Sequence, residues 1–194
     1  ENHSGGLDFS TRGRDVSVIF GDGAGAAVIC REVDSSKGIL SSHLHSEGKH
    51  AEELSLIGPS TNRWVPEILK ANNPEDISYY PYMNGQMVFK NAVVRFEQVI
   101  LEGLKKNNLS PEDIDLLIPH QANLRISQFV QRKFGLKDDQ VYNNIEKYGN
   151  TTAASIPIAL TEAWESGKIN SGDNIVLAAF GSGFTWGSVI INWQ

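Results

Sequence analysis

The chain has 194 residues, 40% hydrophobic and 21% charged, with a formal net charge of −6 at pH 7. That length and balance suffice for a sizeable core, and the acidic excess argues against a general nucleic-acid binder. A single cysteine excludes an internal disulfide framework; with no membrane-length apolar run and no signal-peptide pattern in Glu1–Gly6, a cytoplasmic protein is expected.

In chain order, the first signals are strands at Val16–Phe20 and Ala26–Val33, joined by the glycine turn Gly21-Asp22-Gly23. Cys30 falls in the second of these runs and reads as a small buried hydrophobe. The spacing Gly21-x-Gly23-x-x-Ala26 also fits a dinucleotide fingerprint. Here, however, the turn opens a β-branched strand rather than a helix, and Ser41-Ser42-His43 stands where an acid for the ribose belongs.

A largely polar stretch follows from Asp34 to Tyr82. His43, His45 and His50 raise the question of zinc, but no carboxylate or cysteine is evidently paired with them, so solvated histidines are expected. Trp64–Pro74 and Tyr79–Tyr82 put apolar and aromatic residues into a long connection, as in a folded cap, either walling a tunnel or covering a sheet edge.

Apolar positions Val88, Phe89, Ala92, Val93, Phe96, Ile100, Leu101 and Leu104 predict an amphipathic helix from about Gln86 to Asn107. Ser110-Pro111-Glu112-Asp113 is a helix-start signature. Strand Leu116–Ile118, helices Asn123–Phe134 and Ala153–Ser166, and strands Asn174–Phe180 and Gly187–Asn192 complete an α/β order. The last two strands, around Gly181-Ser182-Gly183, echo the opening strand, glycine turn and strand.

Two segments carry the chemistry. His120 follows Leu116-Leu117-Ile118 and precedes an amphipathic stretch, so it stands at a strand's carboxyl end and a helix's amino end, a common address for α/β sites. The helix end should keep its ring neutral. Asn150 precedes the alanine-rich helix with two amide donors. Two neutral donors converging on one oxygen would form an oxyanion or enolate hole. Beyond His120, Arg125 and Arg132 lie seven apart on one helix face, with Lys133 adjacent.

The motifs Pro119-His120-Gln121-Ala122-Asn123-Leu124-Arg125 and Gly149-Asn150-Thr151-Thr152-Ala153-Ala154-Ser155 resemble those of the β-ketoacyl-acyl carrier protein synthase III family. So do Gly21-Asp22-Gly23-Ala24-Gly25-Ala26-Ala27, Met83-Asn84-Gly85 with Val88-Phe89-Lys90, and Phe180-Gly181-Ser182-Gly183-Phe184-Thr185-Trp186-Gly187, all in family order. The resemblance implies a thiolase-like α/β fold. Residues 1–33 would end its amino-terminal half, 34–82 would form a connecting or cap segment, and 83–194 would be the carboxyl-terminal half, with a mixed sheet and helices packed on both faces.

The implied activity is decarboxylative Claisen condensation of an acyl-CoA primer with malonyl-acyl carrier protein in fatty acid biosynthesis. No metal or other cofactor is implied. His120 and Asn150 would be catalytic, with the nucleophilic cysteine upstream of this chain, in the rest of the amino-terminal half. Gln121, Ala122, Asn123, Leu124, Arg125, Arg132, Lys133 and Lys90 would dock acyl carrier protein. Gly85 and Asn123 would line the pantetheine channel, Phe89 and Phe180 the acyl-thioester cavity, and the Ser182 N–H would serve a second oxyanion hole. A homodimer is implied for the full-length protein, with no nucleic acid or membrane as partner. The alternatives are a specialised-pathway ketoacyl synthase or acyltransferase, and a cysteine-less carrier-binding subunit.

Overall fold

The computed structural model describes residues 1–31, 33–34, 36–58 and 77–194. Within the expected connecting or cap segment 34–82, residues 35 and 59–76, and with them the Trp64–Pro74 part of the cap, lie outside the described residues. The strands are β1 (Gly38–Ser46), β2 (Leu54–Ser55), β3 (Tyr82–Met83), β4 (Leu116–Pro119), β5 (Asn174–Gly181) and β6 (Thr185–Asn192). The described helices are α1 (Arg14–Ser17), α2 (Gly85–Lys106), α3 (Leu124–Phe134), α4 (Ile145–Tyr148) and α5 (Ser155–Glu165). None is long and apolar enough to cross a membrane.

Four strands form one sheet in the order β1-β6-β5-β4, antiparallel except for the parallel β4–β5 pair. Strands β2 and β3 pair separately. Each face of the mixed sheet has its own core. Leu117, Val176, Ala178, Phe180 and Ile190 meet Ala92, Val93, Phe96, Ile100 and Leu104 of α2 together with Ile126 and Val130 of α3. On the opposite face, Leu116, Ile118 and Ile175 pack against Ala159 and Ala163 of α5. Because β4 is covered on both sides, it reads as an uninterrupted apolar run.

Helix α2 starts where the Asn84 side chain accepts from the Met87 N–H at 3.3 Å. Its buried residues recur every three or four positions, as expected. Gly103 belongs to that buried set, and a Cβ there would sit 2.9 Å from Ile190 Cδ1, so glycine lets the helix lie close on β6. Leu101 and Phe89, placed on the apolar face by periodicity, are instead 43% and 36% exposed. Ser110–Asp113 forms its capping interaction, with the Ser110 Oγ donating to Asp113 at 2.7 Å. It yields one 3-10 turn, Pro111–Asp113, rather than a full helix, because Ile114 next turns into the core.

Three expectations are corrected. Among the described residues, Val16–Phe20 and Ala26–Val33 form no hairpin: the first overlaps α1, and those of the second are exposed, with Val28 and Val33 each 92% accessible. Cys30 is accordingly exposed rather than buried. A two-stranded ribbon needs a further strand or a packed face, and Phe20 offers only an isolated parallel bridge to Asn150. Conversely, the polar stretch after Asp34 contains the nine-residue strand β1, which takes its register from β6.

Candidate active site

Strand β4 ends at Pro119, and the His120 N–H continues its ladder by donating to the Ala178 carbonyl at 2.8 Å. The ring therefore emerges at the strand's carboxyl end, as anticipated. His120 Nδ1 lies 2.6 Å from the Ser155 hydroxyl, at the first residue of α5. That bond joins the His120 loop to the Asn150–Ser155 loop across 35 positions of sequence. Burial pushes the His120 pKa down from 6.5 to about 4, so the ring is neutral near physiological pH. The expected neutrality is present, and desolvation by burial is its cause.

Asn150 is buried, and its backbone is held from two directions. Its N–H donates to Ile19 at 2.9 Å, and its carbonyl accepts from Gly21 at 3.0 Å. The preceding Gly149 has φ +68°, and a Cβ there would come within 2.9 Å of the Ile19 carbonyl. Glycine is therefore what lets the chain turn into this position. The Thr152 N–H donates to Asn150 Oδ1 at 2.8 Å, which fixes the amide's orientation and keeps its NH2 as the donating end.

Two residues beneath the site owe their place to the tertiary structure. Gln121, expected on the carrier-protein surface, is only 3% exposed. Its amide donates to Pro119 at 2.7 Å and accepts from the Asn144 N–H at 3.0 Å, so it braces the loop from inside. Glu162 on α5 accepts from Asn144 at 2.7 Å and from the Tyr148 hydroxyl at 2.6 Å, tying α4 to α5 just before Asn150. The sequence signal for Ser155 was its place in the Asn150 motif; Glu162 lies outside every motif.

The remaining candidates divide by exposure. Asn123 caps α3 by accepting from the Arg125 N–H at 2.9 Å. Ala122 is half-buried, and Leu124, Arg125, Arg132 and Lys133 are exposed along α3. Lys133 already faces Glu97 of α2 at 3.3 Å, which offsets part of its charge. Lys90, Gly85 and Phe89 are exposed in the first turns of α2. Phe180, expected to line the acyl cavity, is only 5% exposed and packs in the core, its ring tilted 53° to that of Phe184 with centroids 4.8 Å apart. Ser182 is exposed at the β5–β6 turn, and its hydroxyl donates to Leu54 at 2.7 Å.

The histidines of the polar stretch have a partner after all. Glu102 of α2 lies 3.4 Å from His43 Nδ1 and 2.6 Å from His45 Nε2, so neither is simply solvated. His50 instead packs its ring against Phe184.

The chain's relatives bear on this geometry. Residues 104–193 match the family model described as 3-oxoacyl-[acyl-carrier-protein (ACP)] synthase III C terminal, and residues 1–48 match that of 3-oxoacyl-[acyl-carrier-protein (ACP)] synthase III. A β-ketoacyl-[acyl-carrier-protein] synthase III of Rhodospirillum centenum is 44% identical over 93% of this chain and 53% of the relative. One of Clostridioides difficile is 46% identical over the same shares. The crystal structure of 3-oxoacyl-[acyl-carrier-protein] synthase III from Aquifex aeolicus superposes with a TM-score of 0.84 at 39% identity, covering 98% of this chain and 55% of that one. The fold is thus thiolase-like, and the chain spans about half the length of the curated relatives it matches. Matched near both ends by models of one family, with His120 and Asn150 inside the carboxyl-terminal match, the chain belongs to the 3-oxoacyl-[acyl-carrier-protein] synthase III family.

Proposed function

We propose that this chain supplies the enolate-stabilising side of a decarboxylative Claisen condensation between an acyl-CoA primer and malonyl-acyl carrier protein. The carrying observation is a histidine held neutral by burial, joined through Ser155 to a loop in which Asn150 has its amide donor end fixed. The bond from the malonyl methylene to its carboxylate breaks, CO2 leaves, and the electron pair moves into the thioester as an enolate. His120 and Asn150 donate to the oxygen on which that charge develops, and neither has to ionise. The enolate carbon then attacks the acyl thioester on a cysteine, forming the new carbon–carbon bond and releasing the thiolate. That cysteine is assigned to the half of the relatives that this chain does not match.

Carrier protein would dock on Arg125 and Arg132 of α3 and Lys90 of α2, an exposed basic face suited to an acidic partner. Ala122, Asn123 and Leu124 form the mouth beside it. Lys133 contributes less because of Glu97, and Gln121 acts from below. Gly85 and Asn123 border the pantetheine path with Phe89 at its side, while Phe180 supports the site from the core. The Ser182 backbone N–H would complete the second oxyanion hole. We assign the assembled protein as a homodimer that uses these substrates without a further cofactor.

Substituting His120→Ala in the intact protein should lower malonyl decarboxylation by about 100-fold or more while leaving acylation by the primer in place. Mass spectrometry after incubation with acyl-CoA checks the separation. An adduct absent from the variant would place His120 in nucleophile activation instead and refute the assignment.

A further inference from the structure

Ser155 is 1% exposed, and its hydroxyl has contacts that bear on the state of the His120 ring. Its Oγ accepts from the Gln121 N–H at 3.3 Å and lies 2.6 Å from His120 Nδ1. A backbone N–H can only donate, so it occupies one lone pair of Oγ. The hydroxyl hydrogen is then directed at Nδ1. Were Nδ1 itself protonated, Oγ would receive two donors, and its own hydrogen would be stranded in the interior, an arrangement that folded proteins avoid.

We propose that Ser155, backed by the Gln121 N–H, is a positioning residue that fixes His120 as the Nε2–H tautomer and so aims the ring's single donor away from α5. The Gln121 backbone can serve as a fixed reference because its side chain is anchored at Pro119 and Asn144. Burial reinforces the choice by disfavouring a second proton on the ring. The destination of the Nε2 proton, the substrate oxygen, rests on the function proposed above; the tautomer does not.

Nitrogen NMR of isotope-labelled histidine in the intact protein distinguishes the two ring nitrogens directly. The wild-type protein should show an unprotonated Nδ1 and a protonated Nε2 for His120 at neutral pH. Ser155→Ala should give a mixture of tautomers, and Ser155→Thr, which keeps a hydroxyl, should restore the wild-type pattern. A protonated Nδ1 in the wild-type protein overturns the proposal without recourse to any variant. In parallel, Ser155→Ala should reduce kcat for decarboxylation on the order of tenfold with little change in KM, since a mis-set tautomer withholds the donor. Lost kcat with an unchanged tautomer would make Ser155 merely structural and would also overturn the proposal. The predicted tautomer shift with undiminished decarboxylation would uphold the tautomer assignment and instead refute the role given to His120.

Discussion

Residues 16–33 and 174–192 carry the same pattern of apolar run, glycine turn and apolar run, yet only the second becomes a hairpin. Strand β5 is bonded to β4 on one side and β6 on the other, and β6 continues to β1. Ile175, Val176 and Ile190 are all fully buried. In the first copy, Ile29 is 77% exposed, and the Phe20–Asn150 bridge is the only ladder contact among the described residues. The difference shows that a β-branched run is permission for a strand, and that neighbours turn permission into structure.

The sharpest way to break the comparison is to remove the same side chain from each copy of this 194-residue chain. Ile175→Ala should cost roughly 3 kcal/mol, through lost burial and the cavity left between β5 and α5. Ile29→Ala should stay within about 0.5 kcal/mol, as exposed substitutions do. Chemical denaturation measures both, and equal losses would mean that the first copy is packed after all.

A smaller effect is expected where the first copy touches the Asn150 loop. Gly149→Ala places a Cβ against the Ile19 carbonyl at a positive φ, so it should destabilise by about 2 kcal/mol. Hydrogen exchange should accelerate most at the Asn150 and Gly21 amides, whose bonds tie residues 19–21 to the site loop. Protection unchanged at those two amides would show that the contact does not depend on the glycine turn.

The smallest effect concerns what holds that contact surface in place. The Tyr148 hydroxyl, then the Asn144 amide, and Lys147 hold the Glu162 carboxyl below its usual 4.5. A carboxylate whose folded pKa is depressed adds stability above its unfolded pKa and loses it as pH falls through the folded value. Glu162→Gln should therefore cost about 1 kcal/mol near neutral pH and flatten the stability profile below pH 4.5. Parallel acid limbs for the two proteins would remove Glu162 as the tie between α4 and α5.

Much of the scaffold was legible because its signals are local. The buried stripe of α2, the amphipathic face and Asn123 cap of α3, and the apolar run before His120 lie within a few residues of one another. Strand β1 was hidden because its polar residues take their conformation from pairing with β6, some 145 positions away. Phe89 and Phe180 show the same limit from opposite directions. Periodicity placed Phe89 on a buried face, where it is in fact exposed, and the motif assigned Phe180 a cavity role without showing that its ring packs beside Phe184.

For the site, sequence alone determined which residues stand at chain reversals between strand and helix, and hence that His120 and Asn150 are the donors to consider. It also anticipated that His120 would be neutral. Tertiary structure decided that burial is the cause, that Ser155 reaches His120 across 35 positions, and that Gln121 works from the interior. The physical reason is one of range: periodicity and capping depend on neighbours along the chain, whereas desolvation and hydrogen-bond partnership depend on neighbours in space.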